Sequence, residues 1–171
     1  MKTKILEKIE SLFWENSFAE VSMDEIAREL GMKKSSVYYH FPSKELMFIE
    51  VLEFSFNRYK YFLEEILSDT EIDKILIWII SYPLDSKNLF AVVSQKWYCK
   101  IWVIRELIYE KNIELFNLFF KYFEERYGFN KEKTILLQSI LNDLSKKYCI
   151  FDCKENIETD KLTLEIKKIF F

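Results

Sequence analysis

Residues 33–47 read KKSSVYYHFPSKELM, and how this stretch is understood decides the fold. It opens with two lysines and two small hydroxyls, continues through adjacent tyrosines to the chain's single histidine, and ends in a proline-marked turn before an apolar run. A core segment has little use for so many donors. Lys34 to His40 makes about two helical turns, with Val37 and Phe41 as the inward residues, too short to stand alone. Pro42 ends it, since proline lacks an amide hydrogen and disfavours helical geometry in the residue before it, and Ser43 can cap the next helix.

On the N-terminal side, SMDEIARELG carries its own punctuation. Ser22 can N-cap, Glu25 can complete a capping box, Ile26, Ala27 and Leu30 form an inner stripe, and Gly31 can end the helix in the left-handed region. Ile5, Leu6, Ile9, Leu12 and Phe13 recur at helical spacing before that, predicting a first helix over 3–16. Three short helices with a glycine-containing turn before a polar third one make a helix-turn-helix, whose third helix is shaped to enter a major groove. Lys33 and Lys34 are then placed for phosphates or guanine edges. Ser35 and Ser36 are small enough for close approach, and Tyr38, Tyr39 and His40 can donate to phosphate oxygens. The helix starts at Ser22 and Ser43 offer free amides to anions, and Lys44 adds charge.

The net charge of −3 does not oppose this, because residues 32–44 hold Lys33, Lys34 and Lys44 and no acid. The blander readings are a core position for Tyr38 and plain solvation for the lysines. The capped helix, the turn and the aromatic-His-Phe run together outweigh them.

With 171 residues, 50% of them hydrophobic, and two glycines and two prolines, the whole chain reads as all-α. Further helices are expected from 44 to about 67, 71–82, 88–127 with breaks, 131–149 and 160–170, interrupted near Pro83, Gly128 and KENIETD. No window is apolar enough for a membrane span and MKTKILEKIE does not open a signal peptide, so no membrane partner and a cytoplasmic location are expected. Three cysteines make no disulfide framework. Cys149 and Cys153 lack further ligands for zinc and read better as ordinary free thiols, and His40 has no metal or catalytic companions. No nucleophile-base pair, phosphate loop or metal cluster is present, so neither an enzyme nor a cofactor is called for.

The span SMDEIARELGMKKSSVYYHFPSKELM, residues 22–47, resembles the DNA-binding signature of tetracycline-repressor-type (TetR family) transcriptional regulators, most specifically in VYYHFPSKELM. The likeness covers roughly the first 60 residues strongly. It implies Ser22 on phosphate, Lys33 to Ser36 facing bases or nearby phosphates, Tyr38, Tyr39 and His40 holding the backbone, and Lys44 clamping it. Two positions depart from the family pattern: Asn16–Phe18 (NSF) replaces a common glycine-containing approach, and Ser35 stands where glycine is frequent.

The resemblance further implies a division into a head of residues 1–45 and a helical ligand-binding and dimerisation domain of residues 46–171, joined through a long fourth helix. A small-molecule effector, apolar or planar, would meet aromatic residues such as Trp78, Tyr82, Trp97, Trp102 and Phe116, with Arg105 as an orienting cation. The same aromatics read equally as core, and Arg105 as half of a surface ion pair. Ile135, Leu136, Ile140, Leu141, Leu144, Leu162, Ile166 and Ile169 give the last two helices apolar faces, which in this family form a homodimer interface and otherwise would cap the monomer's own core. The implied function is a DNA-binding transcriptional repressor on a palindromic operator, released by ligand. The alternative is a constitutive or architectural binder of double-stranded DNA.

Overall fold

The computed structural model describes residues 2–16, 18–69, 71–85, 88–90, 102–150 and 159–171. Among these, eight helices and no strand are found: α1 (Lys2–Glu15), α2 (Met23–Leu30), α3 (Lys34–His40), α4 (Lys44–Asp69), α5 (Ile72–Asp85), α6 (Trp102–Tyr127), α7 (Lys131–Ile150) and α8 (Thr159–Phe170). The chain is all-α, as expected.

The ends of α2 are set locally. The Ser22 hydroxyl accepts from the Glu25 amide at 3.2 Å while the Glu25 carboxylate accepts from the Ser22 amide at 2.7 Å, closing the capping box. At the other end Gly31 has φ 63°, Met32 N donates to Ala27 O at 2.9 Å and Gly31 N to Arg28 O at 3.1 Å, a Schellman closure that a β-carbon would strain. The helix α3 ends as Phe41 swings to φ −135°, the extended geometry demanded ahead of Pro42. Asn130 starts α7, its side-chain oxygen accepting from Lys133 N at 2.9 Å.

One expected boundary differs. The reading of Pro83 as a break placed the end of α5 at Tyr82, but the helix continues to Asp85. A proline this close to the end sacrifices a single amide bond, while Ile75, Leu76, Ile79 and Ile80 are buried against α7 and α8 and hold the helix in place.

Packing divides into two clusters. The first joins α1, α2, α3 and the N-terminal half of α4 through Ile9, Phe13, Ile26, Val37, Met47 and Leu52, and is completed by Leu89 and Ile104 from far along the chain. The second gathers the far half of α4 with α5, α6, α7 and α8 around Phe56, Ile80, Phe90, Phe123, Leu137 and Leu141. At 26 residues, or about 39 Å, α4 is long enough to serve both.

The apolar positions of the last two helices separate into two groups. Leu141 and Ile166 are buried in the chain's own second cluster, with Leu144 packed against it, so these three stripe positions serve the monomer core. Ile135, Leu136, Ile140 and Ile169 are exposed, together with Leu164. The division follows from α7 and α8 packing on α5 along one side only.

Candidate nucleic-acid interface

The helix α3 is anchored by one side chain. Val37 is fully buried, whereas Lys34, Ser35, Tyr38, Tyr39 and His40 are exposed and Ser36 is half-buried. Helical spacing pairs Lys34 with Tyr38, Ser35 with Tyr39 and Ser36 with His40, so donors cover the outward surface. Tyr39 is 86% exposed, an unusual position for so large a ring, and meets the His40 ring edge-on with the two centroids 5.5 Å apart. Lys33 is the N-cap residue, exposed and with no side-chain capping bond.

Lys34 donates to Asp24 at 2.7 Å, linking α3 to the first turn of α2. That hydrogen bond, more than simple charge attraction, holds the Lys34 ammonium above its ordinary pKa. The spacing of ten residues across a turn gave no periodic signal for this pair. Ser22 is exposed at the N-terminus of α2, its oxygen engaged as the cap.

Lys44 is placed differently from its neighbours. Its ammonium donates to the carbonyls of Phe18 and Val21 at 2.8 and 2.9 Å and lies 4.3 Å from the centroid of the Phe18 ring. Carbonyls and a π-face satisfy a desolvated cation, so this half-buried lysine ties the α1–α2 connection to the start of α4. The departure NSF supplies the ring on which it rests.

The residues expected around an effector are not all brought together. Trp78 and Tyr82 stack at 4.3 Å between centroids, with Tyr59 5.5 Å from Trp78 and 5.4 Å from Tyr82. Burial drives the Tyr59 hydroxyl pKa well up. Phe116 is half-buried and stacks on Phe120. Trp102 is 66% exposed and Arg105 is exposed, both on the first turn of α6. Trp97 lies outside the described residues, as does Cys153. No group of three or more metal-ligating side chains occurs among the described residues, and none of their helices is long and apolar enough to cross a membrane.

Residues 5–51 match the model for bacterial regulatory proteins of the tetR family. Over this N-terminal segment the chain is similar to the tetR family. The matched segment takes in the capped α2, all of α3 and the start of α4. Over 89 residues the chain is 29% identical to the biofilm operon icaADBC HTH-type negative transcriptional regulator IcaR of Staphylococcus epidermidis, a match covering 50% of this chain and 46% of that one. The aligned part therefore spans just under half of that relative's length. Among solved structures, a transcriptional regulator (TerR/AcrR family) from Aquifex aeolicus VF5 superposes with a TM-score of 0.73 at 23% identity, covering 98% of this chain and 97% of the other. The regulator FadR from Bacillus subtilis, solved with stearoyl-CoA, gives 0.75 at 15% identity over 99% and 97%. These structural likenesses establish that the fold extends over the whole chain.

Proposed function

We propose that the protein is a DNA-binding transcriptional repressor that acts in the cytoplasm as a homodimer on a palindromic operator, by binding and not by catalysis. The observation that carries this reading is α3 itself: one buried valine fixes it while lysine, serine, tyrosine and histidine side chains cover its outer surface. Duplex DNA supplies phosphate and base-edge acceptors matched to those donors. The likeness of the head to a negative regulator supports repression. In this reading Lys33, Lys34, Ser35 and Ser36 meet bases or adjacent phosphates. Ser22, Tyr38, Tyr39 and His40 hold the backbone, and Lys44 contributes its charge from an internally fixed position.

The division proposed is a DNA-binding head of residues 1–45 and an effector and dimerisation part of residues 46–171. The dimer forms through the exposed apolar residues of α7 and α8, Ile135, Leu136, Ile140, Leu164 and Ile169, whose two-fold pairing sets two copies of α3 over two half-sites. An apolar effector, similar in kind to the acyl chain of the stearoyl-CoA held by B. subtilis FadR, enters beside Trp78 and Tyr82 and favours a dimer geometry mismatched to the operator. A constitutive binder is the second reading. It is favoured by the Tyr59–Trp78–Tyr82 stack, in which the rings already fill one another's faces.

The test is selection of duplexes from a random-sequence library, followed by titration across salt. An enriched palindrome is expected. Lys34→Ala and Tyr39→Ala should each weaken binding and lower the slope of log affinity against log salt by about one unit. Unchanged slope and affinity in both variants would remove α3 from the interface. A thermal-shift screen with fatty acyl compounds separates the two regulatory readings.

A further inference from the structure

Between the two clusters lies a polar knot. Glu10 is 3% exposed, and its Oε1 accepts from Ser55 Oγ at 2.7 Å, from an Arg58 guanidinium nitrogen at 2.8 Å and from Leu89 N at 3.1 Å. Ser55, fully buried, also accepts from Phe90 N at 2.9 Å, and its own carbonyl accepts from Asn88 Nδ2 at 2.9 Å. Asn88 Oδ1 lies 3.0 Å from Ser55 Oγ, but the single hydroxyl hydrogen goes to the nearer, charged oxygen. One carboxylate of α1 therefore holds the middle of α4 and the amide of residue 89, and through Ser55 the amide of residue 90.

We infer that Glu10 is a positioning residue for DNA binding, locking the head to residues 88–90 so that the state of this segment sets how α3 is presented. The inference rests on the DNA-binding reading above and adds the route by which the rest of the chain reaches the head. Apolar packing is nondirectional and lets elements slide, whereas three donors converging on one buried oxygen fix a single register. The cost of displacing Leu89 is correspondingly steep, because it strips a donor from a carboxylate that water reaches poorly. The Leu89 side chain is itself buried in the head's cluster, so amide and side chain move together. A displacement of residues 88–90 thus acts on α1 directly, and through α1 on the bundle that holds α3.

The experiment compares wild type with Glu10→Gln in the full-length chain, reading hydrogen exchange at the amides of residues 89 and 90, thermal unfolding, and affinity for the duplex that wild type selects from a random library. Glutamine keeps the shape and an acceptor but loses the charge. The expected result is a folded helical variant whose residue 89 and 90 amides exchange about tenfold faster. Its DNA affinity falls about five- to tenfold with an unchanged salt slope, since no phosphate contact is lost. A merely structural role would lower the melting temperature while exchange at 89 and 90 and affinity stayed as in wild type, and that outcome overturns the inference. A lowered salt slope would make Glu10 part of the contact surface and overturn it equally. Should Glu10→Gln not fold, Ser55→Ala breaks the link to Phe90 N while leaving the Glu10–Arg58 pair, and the same outcomes decide. If wild type selects no duplex, the DNA reading fails separately, and the exchange rates alone support or overturn the lock.

Discussion

The head and the rear of the molecule differ in what they leave uncovered. Around α1 to α3 the apolar side chains are spent on the chain's own core, and the large exposed ones are Tyr38 and Tyr39, each with a hydroxyl at its tip. Along α6, α7 and α8 the exposed large side chains are Trp102, Val103, Tyr109, Ile113, Ile135, Leu136, Ile140, Leu164 and Ile169, of which Trp102 and Tyr109 alone carry a polar atom. A surface rich in donors is complete in water and acquires a partner through charge and hydrogen bonding, whereas aliphatic rows gain by leaving water altogether. One end is therefore suited to phosphate and base edges, the other to more protein.

The strongest way to break this contrast lies within α7. Leu141→Ala, in the chain's own core, is expected to cost about 2–5 kcal/mol in denaturant unfolding, while its neighbour Ile140→Ala should change monomer stability by no more than about 0.5 kcal/mol. Equal costs would mean that the inner and outer faces of α7 are not distinct. Next in size, replacing Leu136 and Ile140 together by aspartate should raise the dimer dissociation constant about a hundredfold, near 3 kcal/mol, by sedimentation. A dimer indifferent to both charges would move the interface elsewhere.

In the head, Ser22→Ala removes the acceptor for the Glu25 amide and should cost about 1 kcal/mol, again by denaturant unfolding. The smallest effect is on pH. The Ser22 amide, and then its hydroxyl, hold the Glu25 carboxyl below its ordinary value. A depressed folded pKa gives stability that is present above the unfolded value and lost as pH falls through the folded one. Glu25→Gln should therefore flatten the stability profile on the acid side of the ordinary glutamate value of 4.5 and leave the alkaline side unaltered.

What could be read in advance was what the chain decides locally. The capping box, the Gly31 closure and both ends of α3 involve partners within a few residues, so type and spacing suffice. The outward residues of α3 are legible for the same reason, with Val37 as its anchor. The two carbonyl partners of Lys44 lie on the connection before α2, beyond the reach of any periodicity. Nothing in the spacing of α1 marks Glu10, and only the packing of α4 and residue 89 around it makes it a buried junction. In α7 and α8 hydrophobicity marked the residues that avoid water without saying which belong to this chain's core. That distinction depends on where α5 sits.

The closure of the head's core by Leu89 and Ile104 bears on any attempt to transplant it. A fragment ending after Lys44 would lack not only the anchoring half of α4 but also two side chains that wall off the far side of its interior, and would melt or clump instead of acting as a portable reader of DNA. Hybrid regulators made by exchanging front ends between relatives should carry compatible residues at 10, 55, 58, 89 and 104 with them.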